Sequence, residues 1–104
     1  MTLLEQQKEY LMNTYATLPI EISHGEGSYL YDINDKKYID FTSGIGVNSV
    51  GYNNKKLNEA ILNQLNSFAH LSNIFLSTPT VKLANKLTTI SKMSKVFFSN
   101  SGAE

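Results

Sequence analysis

The chain has no cysteine and no arginine; all nine of its basic residues are lysines, balanced by nine carboxylates. Without cysteine there is no disulfide and no thiolate metal site, and the redox compartment stays undecided. Without arginine there is no fork-shaped group for bidentate recognition of a carboxylate, so such a clamp is expected beyond residue 104. Balanced charge gives no general attraction to nucleic acid or to an anionic membrane. No apolar run approaches the roughly 18 residues of a membrane span. The start, Met1-Thr2-Leu3-Leu4-Glu5, lacks the basic region and long apolar core of a secretion signal. A soluble, cytoplasmic protein is expected. The dinucleotide fingerprint, the P-loop and the nucleophile elbow are absent. His24 and His70 are far apart with no partner at helical metal spacing, so each is read as structural and no metal site is expected.

What is present falls into two parts. Thr2-Leu3-Leu4-Glu5 is a capping box, opening a helix from about residue 3 to residue 13 that must end before Leu18-Pro19. From Pro19 the period becomes two. Ile20 and Ile22, then Tyr29-Leu30-Tyr31, then Lys37 to Phe41, separated by Gly25-Glu26-Gly27 and Ile33 to Lys36, predict a three-stranded antiparallel meander. Asp32, Asp35 and Asp40 are read as solvated carboxylates at its turns and edges. Thr42 to Gly51 carries three glycines among small polar residues; both a connecting loop and a pocket-lining loop fit that composition.

A second helix is expected from about Asn54 to His70, with Leu57, Ile61, Leu65 and Phe68 facing a core. Thr78-Pro79 reads as N-cap and first helical residue of a third, whose buried stripe is Leu83, Ala84, Leu87 and Ile90. Val96-Phe97-Phe98 reads as a buried strand, and Ser101-Gly102-Ala103-Glu104 as a capping box that opens another helix. A strand, a small-residue turn and a helix start make an anion site, because the first helical amides lack partners and Gly102 and Ala103 let an anion approach the backbone. The order is that of an opening α/β domain, residues 51–104, preceded by a smaller unit, residues 1–50.

The segments Asn13 to Ile20, Gly25 to Asp32, Tyr38 to Phe41, Ser43 to Gly51, Ser72-Asn73 and Phe97 to Glu104 resemble, in order, the N-terminal part of the acetylornithine aminotransferases. These are class III, fold type I aminotransferases dependent on pyridoxal 5'-phosphate. The resemblance implies a small α+β segment followed by the start of a three-layer α/β domain. It implies a homodimer that moves the terminal amino group of N2-acetylornithine to 2-oxoglutarate in arginine biosynthesis. Succinylornithine, ornithine and 4-aminobutyrate aminotransferases remain open as relatives, as does a non-catalytic product. Gly102 and Ala103 match the family's phosphate-binding pair, with Ser101 capping the helix and Glu104 completing the box. Tyr15 matches a tyrosine that approaches substrate in the ornithine enzymes, though core packing also accounts for it. Gly44 matches a position where those enzymes carry a tyrosine, and a glycine there leaves room for an acylated substrate. The lysine that carries the cofactor matches none of the nine here and is expected beyond Glu104, as are the acid beneath the pyridine nitrogen and the carboxylate-binding arginine. A chain without them is expected not to transaminate by itself and to leave the apolar face of Val96 to Phe98 exposed. One departure is the run Tyr52-Asn53-Asn54-Lys55, where the family has histidines and a proline; Asn54 can cap the following helix instead.

Overall fold

A computed structural model describes all residues 1–104. The chain divides into two compact units, 1–63 and 64–104.

In the first unit, α1 (Leu3–Tyr10) starts at the capping box expected for it. Thr2 Oγ1 accepts from the Glu5 amide at 3.2 Å, and Glu5 Oε2 accepts from the Thr2 amide at 2.7 Å. The amide of Thr2 holds the Glu5 carboxyl below its usual range. The helix ends at Tyr10, three residues before the anticipated end, and Leu11 leaves it in an extended conformation. The segment that follows folds back, with Gln7 Nε2 donating to Thr17 Oγ1 at 2.7 Å.

The meander forms as its alternation predicts. β1 (Ile22–Glu26), β2 (Tyr29–Asp32) and β3 (Lys37–Ile39) pair antiparallel in the order β1-β2-β3. β1 runs through Gly25 instead of breaking there, and its register shifts between Ile22 and His24. A two-residue connection, Gly27-Ser28, joins β1 to β2, with Gly27 at φ 57° as such tight hairpins require. His24 is structural: its ring stacks on Tyr31 with centroids 4.6 Å apart, and Ser23 Oγ lies 2.6 Å from its Nδ1.

The turn between β2 and β3 is organised by Asp32, which is not solvated. It is 8% exposed, the one residue in the chain that reaches full burial. Its Oδ1 accepts from the amides of Asn34 (2.8 Å) and Lys36 (3.0 Å), and its Oδ2 accepts from the Tyr38 hydroxyl at 2.9 Å. Burial pushes the Asp32 carboxyl up, but the Lys36 and Asn34 amides, the Tyr38 hydroxyl and the Lys36 charge outweigh it and leave it below 3.8.

After β3 comes a single turn, α2 (Ser43–Gly46), described with the site below. Asn54 then caps α3 (Lys55–Ser67), its Oδ1 accepting from the Leu57 amide at 3.0 Å. In the second unit α4 (Thr78–Ser91) follows, and its N-cap is Ser77, not Thr78. Ser77 is extended while its carbonyl already accepts from the Val81 amide at 3.1 Å, so Thr78 and Pro79 both lie inside the first turn. Lys92 closes the helix in the left-handed conformation, φ 61° and ψ 17°.

Neither unit closes a core. No apolar side chain is fully buried, and the expected stripe of α3 is open, with Leu57, Ile61 and Leu65 each about half exposed. Accessible surface totals 9695 Å², against about 5,800 Å² for a compact chain of 11.6 kDa. Val96-Phe97-Phe98 does not form a strand. No segment of residues 1–104 pairs with it, and a strand has no stability without a partner. Instead these residues border a cleft of about 350 Å³ with Asn73, Thr80 and Leu83. No helix is long and apolar enough to cross a membrane.

Candidate cofactor turn and substrate loop

The terminal turn differs from its sequence reading in a specific way. The Ser101–Glu104 capping box is not made and no helix begins there. The Glu104 carboxylate accepts from the Asn100 amide at 2.7 Å, one residue earlier than the box requires, while the Glu104 amide reaches the Ser101 carbonyl at 3.3 Å. Ser99 Oγ donates to the same carbonyl at 3.0 Å. These bonds curl residues 99–104 into a tight turn. The amides of Gly102 and Ala103 donate to nothing within the chain. A Cβ at Gly102 would meet no atom within 4 Å. Two neighbouring unpaired amides with open approach can take an anionic oxygen, so the turn fits a phosphate group.

The other two residues singled out from sequence lie in the first unit. Tyr15 is 84% exposed and borders a groove formed with Gln7, Lys8 and Leu11 of the first helix and its exit. Gly44 sits at the centre of a turn of unusual hand. Ser43, Gly44, Ile45 and Gly46 have φ of 53°, 63°, 65° and 77° in succession. This is one turn of left-handed helix, closed by Gly46 to Thr42 (3.0 Å) and by Val47 and Asn48 to Ser43 (each 2.9 Å). Glycine adopts that conformation freely, but Ser43 and above all β-branched Ile45 do so at a cost of about 1–2 kcal/mol each. Ile45 is also 92% exposed, so nothing in the chain repays the strain by burial. A Cβ on Gly44 would lie 2.9 Å from Asn48 Nδ2 and 3.1 Å from Val47 Cγ2.

What holds this turn is Asp40, another carboxylate the sequence reading left in solvent. Its Oδ1 accepts from the Thr42 hydroxyl (2.7 Å) and the amides of Thr42 (3.0 Å) and Ser43 (3.2 Å). Its Oδ2 accepts from the Tyr52 hydroxyl at 2.5 Å. The Tyr52 bond, then the Thr42 hydroxyl, take the Asp40 carboxyl from 3.8 down to about 2, with the amides of Ser43 and Thr42 adding to it against a desolvation that opposes them. The same bond raises the Tyr52 hydroxyl above 10.0, with the Asn48 side chain pulling the other way. Asp40-Phe41-Thr42-Ser43 is a turn signature that could have flagged the first half of this arrangement. Nothing in the sequence signals Tyr52, twelve residues on.

Residues 10–104 match the family described as Aminotransferase class-III. The chain belongs to this family. Class-III aminotransferases similar to it include the acetylornithine aminotransferase of Archaeoglobus fulgidus, 42% identical over 104 residues, which are 100% of this chain and 28% of that protein. The crystal structure of acetylornithine aminotransferase from Elizabethkingia anophelis superposes with a TM-score of 0.89 at 30% identity, over 96% of this chain and 26% of that one. Plasmodium falciparum ornithine delta-aminotransferase superposes with a TM-score of 0.88 at 27% identity, over 96% of this chain and 26% of that one. The chain therefore spans about a quarter of the length of these relatives. Their fold identifies the meander and the helices after it as the N-terminal part of the fold of pyridoxal-phosphate-dependent aminotransferases.

Proposed function

We propose that residues 1–104 belong to a pyridoxal-phosphate-dependent aminotransferase that moves the terminal amino group of N2-acetylornithine to 2-oxoglutarate. The observation that carries the reading is the pair of unpaired amides at Gly102 and Ala103 in a chain similar throughout its length to acetylornithine aminotransferases. Bound there, pyridoxal phosphate supplies the electron sink for bond breaking at the amino-bearing carbon. Gly102 and Ala103 donate their N–H groups to its phosphate, and Ser101 sets the turn that aims them. Tyr15 and Gly44 border the substrate. The lysine that carries the cofactor comes from outside residues 1–104, as do the acid under the ring nitrogen and the substrate's arginine.

Residues 1–50 are assigned to the small domain and 51–104 to the start of the large one. The assembly assigned to the protein is a cytoplasmic homodimer serving arginine biosynthesis, and the apolar surface left open in both units is in keeping with a larger body. A second reading, an ornithine aminotransferase, draws on the likeness to the Plasmodium enzyme.

The phosphate role is tested by binding. In the protein as its gene makes it, Gly102→Pro removes one of the two donors. Pyridoxal phosphate affinity, read from its visible absorption, is expected to fall about tenfold or more while Ser28→Ala leaves it alone. Equal affinity in Gly102→Pro and the parent would remove the turn from the cofactor site.

A further inference from the structure

The left-handed turn is held from outside itself, and by residues with no assigned part in the reaction. Asp40 ties the start of the loop, through Thr42 and Ser43, to Tyr52 at its end. Tyr52 is in turn fixed to the sheet. Its amide donates to the Gly27 carbonyl at 2.8 Å and its carbonyl accepts from the Gly27 amide at 3.0 Å. Its ring covers Gly25, where a Cβ would lie 2.5 Å from the ring's Cγ. Gly51 passes so close to Gly27 that a Cβ would lie 2.7 Å from the Gly27 carbonyl oxygen. The Asp40 amide donates to the Ser28 carbonyl at 2.9 Å, so both ends of the loop are anchored on the β1–β2 hairpin. From Tyr52 the contacts run back to the centre of the turn. The Asn48 side chain acts on the Tyr52 hydroxyl, lowering it against the pull of Asp40, and its Nδ2 is the atom nearest the missing side chain of Gly44.

We propose that Asp40 and Tyr52 are positioning residues for donor specificity: their bond clamps the loop 40–52 and holds Ser43–Gly46 left-handed, which sets where Gly44 and Asn48 meet the substrate. The proposal rests on the aminotransferase reading for its substrate, but not for the clamp. A turn with two non-glycine residues at positive φ would relax toward ordinary conformations if released. Its strain persists because four hydrogen bonds to one carboxylate over-determine it. Clamping of this kind spends folding stability to keep a binding surface in one geometry, which sharpens discrimination between donors that differ by an acyl group.

The test compares Tyr52→Phe and Asp40→Asn with the parent in the protein as its gene makes it. Tyr38→Phe is the control, because it removes the like bond to Asp32 in the other turn of the meander. Two quantities are read. Hydrogen exchange of the Val47 and Asn48 amides reports the turn itself, and the ratio of kcat/KM for N2-acetylornithine to that for ornithine reports specificity. In Tyr52→Phe and Asp40→Asn the two amides are expected to exchange about tenfold faster and the ratio to fall by a similar factor; in Tyr38→Phe neither moves. Unchanged exchange in both clamp variants would overturn the proposal. So would faster exchange with an unaltered donor ratio, or equal effects in Tyr38→Phe. A parent that transfers no amino group from either donor would sink the proposed function instead, and the exchange measurement would then decide the clamp by itself.

Discussion

The proposed substrate loop and the proposed cofactor turn are both short, small-residue segments, yet they are built in opposite ways. Residues 40–52 are strained and heavily tied: a left-handed turn is held by a carboxylate with four hydrogen bonds, and a Cβ at Gly51 would lie 2.7 Å from the Gly27 carbonyl oxygen. Residues 99–104 are unstrained and hardly tied, with three hydrogen bonds of their own and four amides left over, those of Gly102 and Ala103 among them. The difference teaches where each part gets its shape. A segment that must hold one geometry against its own preferences needs local bonds to do it. A segment that leaves its amides unpaired needs no such bonds to offer them to an anion.

The largest effect expected from breaking the tied side is at Gly51. Gly51→Val places a branched Cβ at φ 75° against the Gly27 carbonyl, and both faults fall on backbone that cannot swing aside. A loss of about 2–4 kcal/mol in unfolding free energy is expected, read from denaturant midpoints. Gly102→Val, by contrast, meets no atom within 4 Å and has no positive φ to violate, so stability should stay within about 0.5 kcal/mol of the parent. Equal losses at the two glycines would erase the distinction between the regions.

Acid should undo the tied loop and leave the other turn's open amides as they are. The folded Asp40 carboxyl sits at about 2 against 3.8 for the free group. A carboxyl depressed on folding contributes stability that is present above its unfolded value and lost as pH falls through the folded one. The clamp is therefore full above about pH 4 and fades toward pH 2, with the lowered Asp32 carboxyl acting in the same direction. Tyr52 has the opposite sign: its folded hydroxyl lies above 10.0, so its share persists through neutral pH and is lost only as pH rises past that raised value. Exchange of the Val47 and Asn48 amides, corrected for intrinsic rates, should be flat from about pH 5 to 9 and accelerate below 4. In Asp40→Asn the acid limb should shrink to the part that Asp32 carries.

The smallest contrast separates two helix starts. Thr2→Ala removes the side-chain half of a formed capping box, leaving the residue 2 amide to Glu5, and should cost α1 about 1 kcal/mol, seen as lost helicity. Ser77→Ala removes a side chain that caps no amide, so α4 should lose a few tenths of a kcal/mol at most.

What could be seen in the sequence was what depends on near neighbours. The Thr2–Glu5 box and the Asn54 cap each close within three residues, the period-two meander pairs strands joined by short turns no more than ten residues apart, and each formed. The N-cap of α4 moved by a single residue, from Thr78 to Ser77, because either hydroxyl residue before Pro79 satisfies the pattern. Readings that needed a partner outside the local window did worse. Val96 to Phe98 has the composition of a strand but no strand to pair with, and the α3 stripe has the spacing of a core face but nothing packed over it. Ser101 to Glu104 spells a capping box, but those residues span about one turn, and starting a helix is the costly step. The two organising carboxylates were missed for a related reason. Asp32 and Asp40 resemble ordinary turn residues, and the tyrosines that complete them, Tyr38 and Tyr52, are six and twelve positions away.

The central claim, amino transfer from N2-acetylornithine, is tested most directly by a donor panel. The protein as its gene makes it, loaded with pyridoxal phosphate, is given 2-oxoglutarate with N2-acetylornithine, succinylornithine, ornithine or 4-aminobutyrate, and glutamate is measured. Glutamate formed with the highest kcat/KM from N2-acetylornithine is the predicted result. A preference for ornithine or 4-aminobutyrate, or no glutamate from any donor, would contradict it.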